Sequence, residues 1–273
     1  MIWAIKDNQK VKASPKSNAY CPCCNNKVIS KCGSVKIWHW SHESLKECDS
    51  WYEPESEWHI NWKTNFDEEE QEVKIDSHRA DIKCKNGLVI ELQNSFISAD
   101  DICDRENFYG NMIWILNGKT LGKGLELRNK KSYLSFVWKN FPQSWLFSER
   151  SIYIDLTKSY EEIKEEMDDL MERINLIFNK LKILIGKSPR EFDFKSYEYT
   201  YIIDEKEIAK QKEILETYNI WHDLSLQHSS KQDEYNIFNG KTIFLIKKLY
   251  ENNPCTGWGY LISKFDFLKE VRI

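Results

Sequence analysis

The sequence predicts an α/β fold, and three observations carry that prediction. Between residues 55 and 116 the apolar spacing gives the order helix, strand, strand, strand, helix, strand. The first fifty residues crowd together Cys21, Cys23, Cys24, Cys32 and Cys48 with His39 and His42, which marks a separate N-terminal module. Residues 159–183 carry Ile163, Met167, Leu170, Met171, Ile174, Ile177, Phe178 and Leu181 at helical spacing, opening a mixed, largely helical C-terminal region. The expected divisions are 1–52, 53–156 and 157–273.

The elements follow in order. Ile2–Ile5 and Val11–Ala13 flank Asp7-Asn8-Gln9, the pattern of an opening hairpin. Residues 21–42 read as a cysteine knuckle with two short strands. Glu55–Phe66 reads as a helix with Trp58, Trp62 and Phe66 on one face. Strands follow near 72–76, 79–84 and 88–93. Ser98 caps a helix over 99–109, with Asp100 and Asp101 in its first turn. Met112–Leu116 is a buried-strand run, and Tyr133–Trp138 and Ile152–Leu156 read as further strands. Ser188-Pro189 breaks the long helix.

Composition narrows the class. The chain has 273 residues, 39 basic and 43 acidic, for a net charge of −4, which excludes a histone-like polycation. Local strips remain. Residues 1–36 hold seven Lys against one Asp, and residues 119–139 hold Lys119, Lys123, Arg128, Lys130, Lys131 and Lys139 against Glu126. Both suit contacts with a phosphate backbone. No apolar run approaches the ~18 residues of a membrane span, and the opening residues form no secretory core. A soluble, cytoplasmic protein with no membrane partner is expected. Its thiols are then reduced, metal-bound or packed.

Cys21-Pro22-Cys23-Cys24 contains a C-x-x-C pair, Cys21 with Cys24. His39-Trp40-Ser41-His42 and Cys48 follow. A structural zinc ion takes four nitrogen or sulfur ligands in a closed tetrahedron. Cys21, Cys24, His42 and Cys48 are the expected set, with His39 as the reserve and Cys23 facing outward. Free thiols beside a packed turn are the bland alternative.

The strands at 79–84 and 88–93 test their own turn. A two-residue Asn86-Gly87 loop would pair Ile82 with Glu91 and place carboxylates on the oily face. A three-residue loop with Gly87 left-handed pairs Cys84 with Leu88, Ile82 with Ile90 and Asp81 with Glu91, and both faces become consistent. Adjacent carboxylates repel across a strand pair. A divalent cation with hard oxygen ligands, Mg2+ or Mn2+, would relieve that repulsion. Glu57, on the preceding helix, is the expected third carboxylate. The alternative is a solvated polar face with no metal.

These signals in their order resemble the competence protein CoiA-like family, which is similar to the PD-(D/E)xK nuclease superfamily with an N-terminal zinc-finger-like Cys/His module. The matching pieces are the opening hairpin, Cys21-Pro22-Cys23-Cys24, His39-Trp40-Ser41-His42, Glu55-Ser56-Glu57-Trp58-His59, Lys63, Arg79-Ala80-Asp81, Glu91-Leu92-Gln93-Asn94-Ser95, Arg105 with Tyr109, and Trp114-Ile115-Leu116. They cover residues 1–117. The resemblance implies a restriction-endonuclease-like αβββαβ core. It implies Mg2+- or Mn2+-dependent hydrolysis of DNA phosphodiesters, in competence, recombination or defence against foreign DNA. Asp81 and Glu91 then resemble the metal-binding carboxylates. Gln93 stands where that superfamily usually has lysine, so another cation is needed. Lys63 is the first choice, and Lys83, on the face of Asp81, the second. Arg105 and Tyr109 would meet a phosphate. The rival reading is a non-catalytic, zinc-containing DNA-binding module or a scaffold for recombination or phage-defence proteins.

Overall fold

The chain opens with a hairpin in which β1 (Trp3–Lys6) and β2 (Gln9–Lys12) pair antiparallel, Lys6 opposite Gln9. The structure is a computed structural model that describes residues 1–34, 37–43, 48–198, 204–250 and 252–273. Asp7 and Asn8 turn the hairpin with φ of 49° and 62°. Two left-handed residues match the twist of the flanking strands, and Asp and Asn tolerate that conformation well. β3 (Asn18–Tyr20), β4 (Lys27–Lys31) and β5 (His39–His42) complete a five-stranded sheet in the order β2-β1-β3-β4-β5. One face packs Ala4, Ala19, Val28 and Trp40 into a small core of their own.

The second sheet is built around the order read from the sequence. Helix α1 (Glu57–Lys63) is shorter than the expected 55–66. It starts at a capping box in which Ser56 accepts the His59 N–H and His59 accepts the Ser56 N–H. β6 (Gln71–Ile75), β7 (His78–Lys83) and β8 (Val89–Gln93) follow as an antiparallel meander. α2 (Ala99–Tyr109), capped by Ser98, carries the chain over to β9 (Met112–Asn117), parallel to β8. β10 (Leu125–Asn129) and β11 (Leu134–Trp138) form a hairpin, and β12 (Ile152–Asp155) lies parallel to β9.

The bulged turn forms as expected. Cys84 N–H donates to Leu88 at 2.8 Å, Ile82 pairs with Ile90, and Gly87 has φ of +87°.

α3 (Thr157–Ile185), α4 (Phe194–Glu198) and α5 (Glu205–Phe238) follow in the chain. Residues 158–239 form a helical unit of their own around Leu181, Phe194 and Ile214. The sequence reading sets 157–273 aside as one region, but the chain returns. β13 (Ile243–Tyr250) pairs with β12, and β14 (Asn253–Ile262) joins β13 to β11, so residues 240–273 belong to the same unit as residues 1–157. The result is a nine-stranded sheet in the order β10-β11-β14-β13-β12-β9-β8-β7-β6. The Gly257-Trp258-Gly259-Tyr260 run serves this closure. A Cβ at Gly257 would meet the Phe136 ring at 2.8 Å, and one at Gly259 the Phe244 ring at 2.7 Å.

α1 and the final helix α6 (Lys264–Glu270) cover one face of this sheet. Trp62, Ile82, Ile90, Leu92, Ile115 and Phe267 form its core there, and burying each such side chain contributes about 1.5–3 kcal/mol. Trp58 and Trp62 both donate to Asp155 at 2.8 Å, which fixes α1 against β12. α2 is held to the other face by Glu106, which accepts the Trp114 indole N–H at 2.8 Å. Alternation along β8 sends Leu92 to the first face and Glu91 to the second. Among the described residues, no helix is long and apolar enough to cross a membrane.

Candidate metal centre and acidic cleft

The ligand atoms of Cys21, Cys24, His42 and Cys48 all lie within 4.8 Å of one another. Cys21 follows β3 directly, and a tight turn through Asn25, with φ of 57°, brings Cys24 back beside it. His42 arrives from the end of β5, with its Nε2 3.3 Å from the Cys24 sulfur. Cys48 lies 3.6 Å from Cys21. The Cys23 N–H points at the Cys21 sulfur at 3.3 Å. Hydrogen bonds from the Cys23 thiol and from the Cys24 and Cys23 amides outweigh burial and draw the Cys21 thiol down to about 4. Three cysteines and an imidazole in this spacing fit zinc. His39, the reserve ligand, is not part of the cluster; its Nδ1 lies 2.7 Å from the Ile37 carbonyl. Cys23 is half-buried against the module's core rather than turned outward.

A second constellation forms where β7 and β8 part. The ladder runs through Lys83↔Val89 and Ile82↔Ile90. Beyond it the side chains take over. The Glu91 carboxylate accepts the Asp81 N–H at 3.2 Å, and the Asp81 carboxylate accepts the Leu92 N–H at 3.0 Å. Both carboxylates line a narrow cleft together with Asp49, Glu53, Glu55, His59, Arg79 and Arg105.

Lys63 reaches Asp81 from the last turn of α1. Its ammonium is wholly buried, 2.9 Å from Asp81, 2.7 Å from Glu55 and 3.2 Å from Glu72. Burial alone would lower its pKa, but Asp81, Glu55 and Glu72 together hold it above the ordinary lysine value. Glu72, the second residue of β6, occupies a left-handed position with φ of 48°. Its carboxylate also accepts the N–H groups of Ile2 and Trp3 at 2.9–3.0 Å. One buried carboxylate thus joins the first strand of the N-terminal module to the lysine of the cleft.

On the other side, Arg105 donates Nη1 to Glu91 at 3.0 Å and Nη2 to the Trp51 carbonyl at 3.0 Å. Burial, and next the charge of Asp81, push the Glu91 carboxyl up to about 7 despite Arg105. Burial also raises Asp81, but Lys63 and then His59 pull it below the usual carboxylate range. His59 accepts the Ser56 N–H on Nδ1, and its Nε2 lies 3.4 Å from Glu53. Burial lowers the His59 pKa, and the Glu53 hydrogen bond with the Asp81 and Glu55 charges more than reverses this.

Three expected residues stand elsewhere. Glu57, the expected third carboxylate, is the first residue of α1, exposed and outside the cleft. Glu55, one residue before the cap, is inside it, and its Oε2 is buried with no hydrogen-bond partner among the described residues. Ser56 as an N-cap residue is the sequence signal that separates the two, because it starts the helix at Glu57. Gln93 is buried, and its amide donates to the Ser95 carbonyl at 3.1 Å, so it does not line the cleft. Lys83 does not line it either. The sequence reading also passed over Asp49, Glu53 and Glu72. Among the described residues, no third acidic ligand atom joins Asp81 and Glu91 in a preformed cation site.

None of the curated proteins and none of the solved structures matches the chain. Residues 3–50, which take in all four residues of the metal centre, match the family model described as competence protein CoiA, N-terminal domain, and over this module the chain is similar to the competence protein CoiA-like family.

Proposed function

We propose that the chain is a metal-dependent nuclease that hydrolyses DNA phosphodiester bonds at the acidic cleft, in a competence-related role. The observation that carries this reading is the pairing of Asp81 with Glu91 across the parting of β7 and β8, with the Lys63 ammonium on Asp81. The two carboxylates fit Mg2+ or Mn2+, which bind few protein oxygens and complete their shell with water and substrate phosphate. Burial, and next the charge of Asp81, raise the Glu91 pKa, and a bound cation would offset both. Bound there, the ion would supply Lewis-acid polarisation of a phosphate oxygen and a more acidic water.

The chain's own residues do the rest. Lys63 holds Asp81 ionised and fixes its Oδ1. Arg105 orients Glu91 from the opposite wall, and its Nε, buried with no partner among the described residues, would donate to a phosphate oxygen. Gln93, turned to Ser95, takes no part in charge stabilisation, and Lys63, Arg79 and Arg105 supply the fixed positive charge of this site. Zinc at the Cys/His centre is structural and gives the small module folding energy that its few apolar residues do not supply. The exposed lysines of residues 1–36 and 119–139 contact backbone phosphates. The match to a competence protein family favours DNA as the polymer.

The absence of a third preformed ligand and the placement of Gln93 favour a second reading, a zinc-containing DNA-binding module or scaffold without catalysis. Incubation of the protein with single- and double-stranded DNA in Mg2+, Mn2+ or neither separates the two. Metal-dependent cutting lost in Asp81→Asn and Glu91→Gln supports the nuclease. Intact binding with no cutting by the folded wild type supports the binding module.

A further inference from the structure

The five-stranded sheet packs its own core on one face only, and the register fixes what stands on the other. Lys10, Ile5, Tyr20 and Lys27 form one cross-strand row over four strands. Asn18, Ile29 and Ser41 form the next row, and Lys31 with His39 the last. Residues opposite one another point to the same side of a sheet. Toward β2 this face is occupied, since Trp3 donates to Gln71 and Lys10 donates to the Glu68 and Gln71 carbonyls. Around Tyr20 it is open.

Tyr20 is the anomaly. β3 is the central strand, where an aromatic ring is ordinarily covered, yet Tyr20 is 53% exposed. Lys27 and Lys31 stand exposed on the same face, while Lys12, on β2, lies over the Trp3 ring at 4.9 Å. Glu43, 3.8 Å from Lys27, is the nearby acid, and both side chains are open enough to solvent that the pair is weak. An aromatic ring at the centre of an open sheet, ringed by cations, has the chemistry of a stacking platform for unpaired bases. A duplex keeps its bases stacked on one another and offers such a ring nothing to cover.

We infer that this open face binds single-stranded nucleic acid, with Tyr20 stacked on a base and Lys27 and Lys31 on the backbone phosphates. The choice of DNA over RNA rests on the proposed function; the single-stranded form rests on the sheet.

Fluorescence anisotropy of the full chain with a labelled oligothymidylate strand and with a matched duplex tests it. No Mg2+ or Mn2+ is added, so that nothing is cut, and zinc content is measured in each variant. The strand binds more tightly than the duplex. Tyr20→Ala weakens strand binding about tenfold, and Tyr20→Phe, which keeps the ring, does not. Lys27→Ser flattens the dependence of log affinity on log salt by about 0.7. Wild-type affinity in Tyr20→Ala, or equal losses on strand and duplex, overturns the platform. An oligouridylate bound more tightly than its deoxy counterpart overturns the choice of DNA. The two readings fail separately: cutting in Mg2+ without a Tyr20 effect leaves only the nuclease, and a Tyr20 effect without cutting leaves only the platform.

Discussion

Asp81 and Glu91 reach across to the opposite strand, Glu91 accepting the Asp81 amide at 3.2 Å and Asp81 accepting the Leu92 amide at 3.0 Å. The two carboxylates thereby replace the ladder bonds that β7 and β8 stop making. They are fixed by backbone donors and repel each other, and burial makes the repulsion costly.

That cost has a pH signature. The Glu91 carboxyl in the folded protein sits at about 7, above the ordinary unfolded value of about 4.3. The folded state therefore binds more protons between these values, and this group's contribution to stability falls as pH rises from about 4 to 7. Glu91→Gln cannot ionise and escapes that loss. With no divalent metal added, Tm of the variant minus Tm of the wild type is larger at pH 8 than at pH 5. A difference that is flat or larger at pH 5 contradicts the raised pKa. Adding Mn2+ at pH 8 raises Tm of the wild type and leaves that of Glu91→Gln unchanged, because ligand binding to the folded state alone stabilises it.

Lys63 ion-pairs with three carboxylates from inside the protein. Lys63→Met leaves Glu55, Glu72 and Asp81 buried without their cation, and chemical denaturation should show a loss of about 3–5 kcal/mol. Glu57→Gln, on the exposed side of α1, changes stability by less than about 0.5 kcal/mol. Equal effects would contradict the burial of Lys63 among these carboxylates and the exposed placement of Glu57.

At the metal centre, zinc content by atomic emission reads one ion per chain in the wild type. Cys24→Ser, His42→Ala and Cys48→Ser abolish it, whereas His39→Gln and Cys23→Ser keep it. Chelation lowers Tm, since the ion's binding energy is folding energy for a small module. Loss of zinc in His39→Gln contradicts the assignment of His42.

Gly87 has open space around its missing Cβ but a φ of +87°. Gly87→Ala therefore acts through backbone strain alone and costs about 1 kcal/mol in urea denaturation, with an unchanged m-value. A neutral result means the bulged turn relaxes to another form.

Much of this was legible in the sequence because local parity is strict. A single residue's shift in the turn at 85–87 would put Glu91 on the oily face, so the pairing of Ile82 with Ile90 was readable without coordinates. The metal set was readable because a C-x-x-C pair leaves few ways to close four ligands. What could not be read depends on distant strands. β13 and β14 carry no signal of which edge they join, so the return of residues 240–273 to the large sheet was invisible. The long helix α5 escaped because its buried residues, Ile214, Thr217, Leu224 and Phe238, form no continuous apolar stripe. Glu72 looked like one of an acidic run, and only the register opposite β7 and the approach of β1 show it holding Lys63 and the first strand together.

The central claim is that Asp81 and Glu91 bind a divalent cation that cuts DNA. The most direct test measures cleavage of labelled DNA by zinc-loaded wild type, Asp81→Asn and Glu91→Gln in Mg2+ and Mn2+, with folding confirmed for all three. The account predicts metal-dependent cutting by the wild type and a loss of at least about a hundredfold in each variant. Wild-type cutting that survives both substitutions, or no cutting by a folded wild type in either metal, would contradict it.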